Sequence, residues 1–356
     1  MSMQSFQDRV SSFYTQFAKQ EAGLRAQMDR GDLQQATAEL QQLLAPVLGD
    51  LPFQLYKKEG AHYLLECNTL LDSSKKILCY YFCDELPQRF RAHWAFYYYH
   101  PALCGSLTLG GRTFLPADFE LVPTVQQKTH RIDLKVLRTA AFDGMSDEDA
   151  FAVLYMMLTD HLGEIAAEAY IGQLAFQKPQ SAFSKKTQTM PLQKLRPFLN
   201  RTIQSEGWVE VSGIQLIADS FYLKNKQKGL RQDMTSGLSY SLDLLNEEEL
   251  PADQREKTQY VKSCGVQYFS MVLPCAGRPQ AVCKKEKEAF EKQLSDIFAK
   301  GHSGAIVTSA FGNTNSYLDF FVYGEAAYQK IAALAVASTP PVALVDLTVQ
   351  QAAQKN

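Results

Sequence analysis

The most regular hydrophobic spacing in the chain lies within Asp147–Phe176. Phe151, Leu154, Tyr155, Leu158 and Leu162 recur every three or four residues, which predicts a helix with these side chains on one inward face. Ser146 suits the N-cap, and Asp147, Glu148 and Asp149 put negative charge at the positive end of the helix dipole. Gly163 can take the left-handed conformation that ends a helix. Ile165–Phe176 is short, apolar and nearly free of charge, which predicts a buried strand. A helix that runs straight into a strand is one half of an α+β layer.

Upstream, Phe6, Val10, Phe13, Phe17 and Leu24 form one helical stripe, and Leu33, Leu40, Leu43 and Leu44 form another after Arg30-Gly31-Asp32. Residues 1–48 are therefore expected to be a helical hairpin. From Leu51 the period shortens. Strands are expected at Phe53–Lys58, Ala61–Cys67, Trp94–His100, Ser106–Leu109, Asp118–Val122 and Thr129–Leu137, with a helix over Asp72–Phe90 whose inward residues are Ile77, Leu78, Tyr81, Phe82 and Leu86. Residues 49–176 then make a first α+β domain.

Residues 177–205 contain no acid and carry Lys178, Lys185, Lys186, Lys194, Arg196 and Arg201 among three prolines, which predicts a basic linker with a short helix after Pro191. Residues 206–356 make a second α+β domain. Its expected strands include Trp208–Val211, Ile214–Tyr222, Gly265–Leu273, Gly304–Ala310 and Tyr317–Tyr323. Its expected helices are Leu238–Leu245, Lys284–Ala299 and Ala326–Ala337. The fold class expected is α+β, two ferredoxin-like sandwich domains behind an N-terminal helical hairpin.

Composition narrows the function classes. The chain has 356 residues, 46% hydrophobic and 21% charged, enough for two cores. A net charge of −2 gives no global attraction to nucleic acid or acidic membranes. Asp8, Arg9, Lys19 and Glu21 precede any long apolar run, and no apolar stretch reaches the roughly 20 residues of a membrane span. The expected location is the cytoplasm, away from membranes, with the seven cysteines reduced.

Each candidate for chemistry meets an obstacle. Asp160, Glu164 and Glu168 stand four apart, but Gly163 is expected to end the helix before Glu164, leaving that carboxylate to cap neighbouring backbone amides. Cys79 and Cys83, with His93, His100 or Cys104, have zinc-ligand residue types, yet Tyr80, Tyr81 and Phe82 between them predict a core helix. Gly301-His302-Ser303-Gly304 lacks the closing glycine of a nucleophile elbow, and Gly105–Thr113 lacks the lysine and helix of a phosphate loop. Tyr317 and Asp319 are expected on one face of a strand as a small polar network. No catalytic, cofactor-binding or metal residue is assigned. Glu164, Asp319, Tyr317, Lys185, Lys186 and Arg231 are the residues expected in polar networks or interactions.

Two groups of segments carry a resemblance. The first is Trp94–Pro101 (WAFYYYHP), Leu158–Ile165 (LTDHLGEI) and Tyr170–Leu174 (YIGQL). The second is Arg231–Gly237 (RQDMTSG), Gly304–Gly312 (GAIVTSAFG) and Ser316–Tyr323 (SYLDFFVY). Together they resemble uncharacterised bacterial domains with pattern-level similarity to the protein regulator of ribonuclease E, over about residues 60–330. The resemblance implies ferredoxin-like domains that bind another protein and carries over no catalytic residue. The expected function is a non-enzymatic protein-binding module, a regulator or toxin-immunity protein. The alternatives are a nucleic-acid binder that uses the basic linker and an enzyme of unrecognised type with an interdomain pocket.

Overall fold

A computed structural model describes residues 4–58, 62–70, 72–177, 189–211, 213–223, 231–247, 250–251 and 254–348. The described residues are mixed helix and sheet, 48% helical and 26% strand. It divides into two compact units. One is formed by Met1–Tyr98 together with Ile217–Asn356, and the other by Tyr99–Leu216. The division does not follow the boundaries expected at 48/49 and 205/206, because the early strands and the last third of the chain share one unit.

In the first unit, helices Phe6–Arg30 and Leu33–Leu48 form the expected hairpin, turning at Gly31 with φ of 84°. Ser5 caps the first helix through its hydroxyl, which accepts from the Asp8 amide at 3.3 Å. The whole expected stripe, Phe6, Val10, Phe13, Phe17 and Leu24, is buried. It packs on helix Ser73–Asp84, which crosses between the parallel strands His62–Cys67 and Trp94–Tyr97. The contact is aromatic. Phe13 and Phe82 rings meet edge to face at 4.9 Å, and Phe17 meets Phe90 at 5.1 Å and Trp94 at 5.3 Å.

A six-stranded sheet forms the other part of this unit. Across the sheet the strands run Asp219–Tyr222, Met234–Ser239, Gly304–Gly312, Asn315–Val322, Gln267–Pro274 and Ala343–Asp346. Every neighbouring pair is antiparallel. Between Gln267 and Asp346 the chain alternates strand, helix, strand, strand, helix, strand. Helices Gln280–Ala299 and Glu325–Ala337 pack on one face, burying Leu294, Phe298, Ala327 and Ile331 against Phe269, Met271, Leu318 and Phe320. A Cβ on Gly304 would stand 2.3 Å from the Phe298 ring and 2.4 Å from the Phe321 carbonyl oxygen, so only glycine lets that helix close on the strand. The N-terminus is tied in by backbone, Phe6 N donating to Gly265 O at 3.0 Å and Gln7 N to Tyr323 O at 2.9 Å.

The second unit has a four-stranded sheet in the order Ile171–Gln177, Arg131–Leu137, Glu120–Gln126, Met190–Pro191. Helix Asp147–Leu162 begins at Ser146 as expected, its hydroxyl accepting from the Asp149 amide at 3.1 Å. The inward face is rotated from the expected one. Ala150, Val153, Leu154, Met157, Leu158 and Leu162 are buried, while Phe151 and Tyr155 are 36% and 49% exposed. Leu154, Leu158 and Leu162 keep their expected inward positions, Ala150, Val153 and Met157 join them in the core, and Phe151 sits at the margin, its ring 4.8 Å from that of Phe176. Ile165–Phe176 is likewise not one strand. Gly163 (φ 83°) breaks the chain, Glu164–Tyr170 makes a short second helix, and only Ile171–Gln177 is extended. Ala166, Ala167 and Ala169 explain the difference, since alanine favours helix over strand.

Other expected elements move too. Trp208–Val211 forms no strand, and Ile214–Tyr222 is a helical turn, Gly213–Leu216, followed by the strand Asp219–Tyr222. Leu238–Leu245 divides between the strand Met234–Ser239 and the short helix Leu242–Asn246. The first part of the basic stretch 177–205, with Lys185 and Lys186, lies outside the described residues. Its second part is core. Leu192, Leu195 and Leu199 are buried with the helix Leu195–Glu206 in the second unit.

Candidate functional site

Strand register sorts the expected polar residues onto one face. Asp319 stands opposite Thr308 on one neighbouring strand and Ser270 on the other, and Thr308 stands opposite Ser239. All four point away from the two long helices. All four are buried, Asp319, Thr308 and Ser239 fully. Arg231, 1% exposed, lies over them and its guanidinium pairs with the Asp319 carboxylate. Ser239 and Thr308 hydroxyls meet at 2.9 Å, the Ser241 amide donates to Ser239 Oγ at 3.1 Å, and the Ser73 hydroxyl donates to Ser241 Oγ at 3.0 Å. The polar row thus links the sheet to the first turn of helix Ser73–Asp84.

Tyr317 joins a neighbouring cluster. Its hydroxyl donates to Asp233, whose other carboxylate oxygen accepts from the Thr314 amide at 2.7 Å, the Thr314 hydroxyl at 2.8 Å and the Asn315 amide at 3.0 Å. Burial opposes the charge on Asp233, but these donors outweigh it and hold its carboxyl below the usual carboxylate range. Burial pushes the Tyr317 phenol up, and the Asp233 carboxylate adds to it. The cluster clamps the turn between Gly304–Gly312 and Asn315–Val322. Sequence reasoning missed Asp233, two residues from Arg231, because the turn it clasps is about eighty residues away.

Glu164 belongs to the second unit and does structural work. Its carboxylate accepts from the His100 amide at 2.8 Å, and its own amide donates to His100 O at 2.9 Å. Asp160, one turn earlier, accepts from the Gly105 amide at 2.7 Å and lies 3.6 Å from His100 Nε2. The two acids strap residues 100–105 to the helix break at Gly163. Among the described residues, no group of three or more His, Cys, Asp or Glu is placed to hold a metal ion. None of these clusters presents a nucleophile with a base and an open face.

The opposite face of the six-stranded sheet is different. Ser220, Tyr222, Ser236 and Leu238 share the face that carries the two long helices, since Leu238 stands opposite Ser309 and Ser309 opposite Leu318 in the helix-covered core. Yet Tyr222 is 73% exposed and Leu238 is 40% exposed. Helix Gln280–Ala299 ends the covered region. Its Lys287, 5% exposed, sets its ammonium over the Phe311 ring at 4.5 Å and donates to Ser309, whose hydroxyl donates to Glu291 at 2.9 Å. Beyond this polar border the two outer strands form a shelf that carries Leu238 and Tyr222 beside Ser220 and Ser236. Among the described residues, Asp219–Tyr222 is the edge strand of the sheet.

No helix among the described residues is long and apolar enough to cross a membrane. Comparison with known protein families, with known proteins and with solved structures finds no match for this chain.

Proposed function

We propose that the chain is a non-enzymatic protein-binding module of the bacterial cytoplasm, a regulator or a toxin-neutralising immunity protein, whose partner docks on the shelf formed by Asp219–Tyr222 and Met234–Ser239. The exposure of Tyr222 and Leu238 carries this reading. Strands lie about 4.8 Å apart and a helix is about 10 Å across, so two helices cover about four of six strands. The remaining width suits one more element, supplied by the partner as a helix on the shelf or a strand on its open edge. The polar clusters support the same reading, because their hydrogen bonds close on neighbouring elements and leave no reactive group presented to a substrate.

We further propose that Gln267–Asp346 is a ferredoxin-like sandwich. Its element order and its two central strands, Gln267–Pro274 and Asn315–Val322, support that description. The pattern resemblance to the regulator of ribonuclease E points to the same kind of work, the binding of another protein.

The test is affinity capture of the tagged full chain from its native cells, with and without nuclease, beside a Tyr222→Ser/Leu238→Lys variant. One stoichiometric protein that survives nuclease and is lost with the variant is the expected result. A partner lost with nuclease transfers the function to nucleic acid. A partner retained in full by the variant overturns the shelf as the docking surface.

A further inference from the structure

Cys275 and Cys283 flank the turn that leads from strand Gln267–Pro274 into helix Gln280–Ala299. The turn folds tightly. Arg278 N donates to Cys275 O at 3.1 Å, and Cys283 N donates to Pro279 O at 3.2 Å. Arg278 holds it from outside, its guanidinium donating to Pro274 O at 3.1 Å and pairing with Glu286. Cys283 Sγ is thereby brought 3.9 Å from the carbonyl oxygen of Cys275. Cys275 Sγ also lies 3.3 Å from Ser316 Oγ.

The two thiols differ in access. Cys283 is buried, while Cys275 is half-buried. Burial pushes the Cys283 thiol up, and contact with Cys275 adds to it. Cys275 is therefore the one a solute reaches, and Cys283 waits beneath it. The other cysteines offer an internal contrast. Cys67, Cys79, Cys83 and Cys264 are buried, and Cys104 is exposed in the second unit.

We propose that Cys275 and Cys283 form a dithiol site that reacts with low-molecular-weight disulfides of the glutathione type and closes reversibly to an intramolecular disulfide. In the first step the Cys275 thiol loses its proton to water. Its sulfur attacks one sulfur of the small disulfide, the S–S bond of that molecule breaks, and one thiolate leaves. Cys275 now carries a mixed disulfide. In the second step the Cys283 thiol gives up its proton to water, its sulfur attacks the Cys275 sulfur and expels the second thiolate, and the two released thiolates take up the two protons. Two electrons pass from the protein to the small disulfide, which leaves as two thiols. The closed form ties the end of the central strand covalently to the first turn of the helix.

The experiment uses the full chain with excess oxidised glutathione, followed by alkylation and peptide mass mapping. The expected product is a Cys275–Cys283 bridge, reopened by dithiothreitol. Cys104 takes at most a glutathione adduct, and the four buried cysteines stay reduced under native conditions. Cys283→Ser is expected to trap glutathione on Cys275, and Cys275→Ser to leave Cys283 unmodified. Absence of the bridge in the wild-type chain overturns the proposal, as does a Cys275 adduct that persists there unresolved. The wild-type measurement decides the matter whether or not either variant folds.

Discussion

Arg231 and Asp319 are joined across 88 residues of sequence into an ion pair that water does not reach. Taking two charges out of water is costly, and their attraction offsets that cost only while both are present. Asp319→Ala is expected to lower stability by about 3–5 kcal/mol, because it removes the carboxylate that offsets the buried Arg231 charge. The double change Arg231→Met/Asp319→Leu is expected to cost less than Asp319→Leu alone. Urea unfolding of the four proteins measures both. A double variant that loses as much as Asp319→Leu, or more, would deny that the buried charge left on Arg231 carries the cost.

Asp233 gives a prediction in pH. Its folded carboxyl titrates below the unfolded value, so it contributes stability that is present above about pH 4 and lost as pH falls through the folded pKa. Asp233→Asn removes the charge and part of the clamp on Thr314 and Asn315. The variant is expected to unfold at lower urea at pH 7, with the gap to wild type closing toward pH 2.

Gly304→Ala is expected to destabilise by about 1–3 kcal/mol through overpacking, since the added methyl meets both a ring and a carbonyl oxygen. Gly301→Ala, with nothing within 4 Å of its Cβ position, is the matched control and is expected to change little. Thermal unfolding of the pair separates crowding from general loss of glycine.

Phe82→Ala is expected to cost about 3–5 kcal/mol, as its ring is fully buried among Phe13, Tyr14 and Phe96. Leu238→Lys is expected to stay within about 0.5 kcal/mol of wild type, being a surface change on an outer strand. A large loss from Leu238→Lys would mean that the side chain serves the fold and not a partner.

Much of the first unit was legible in the sequence because its signals are local. The stripe Phe6, Val10, Phe13, Phe17 and Leu24 reads as a helix face without knowledge of what it meets, and so do Ile77, Leu78, Tyr81, Phe82 and Leu86, all buried. The second unit was less legible. Phe151 and Tyr155 have the spacing of a core stripe, and nothing local says that Ala150 and Val153 are buried while those two stay partly exposed. Strand alternation put Tyr317 and Asp319 on one face. Their partners Asp233 and Arg231 come from a distant segment, and no local period announces such a pairing. The shelf was invisible for a related reason. Leu238 is an ordinary strand residue until the reach of helix Gln280–Ala299 across the sheet is known.

The first unit is assembled from the two ends of the chain, residues 1–98 and 217–356, with the second unit encoded between them. The amides of Phe6 and Gln7 find their acceptors at Gly265 and Tyr323, near the other end of the chain. During synthesis the aromatic N-terminal helices therefore emerge long before the strands that complete their unit. The intervening unit has all of its residues out of the ribosome well before the first has its own. Order of folding is thus expected to invert order of emergence, and for that interval the helices Phe6–Arg30 and Leu33–Leu48 wait without the strands that complete their unit, exposed to chaperones and proteases.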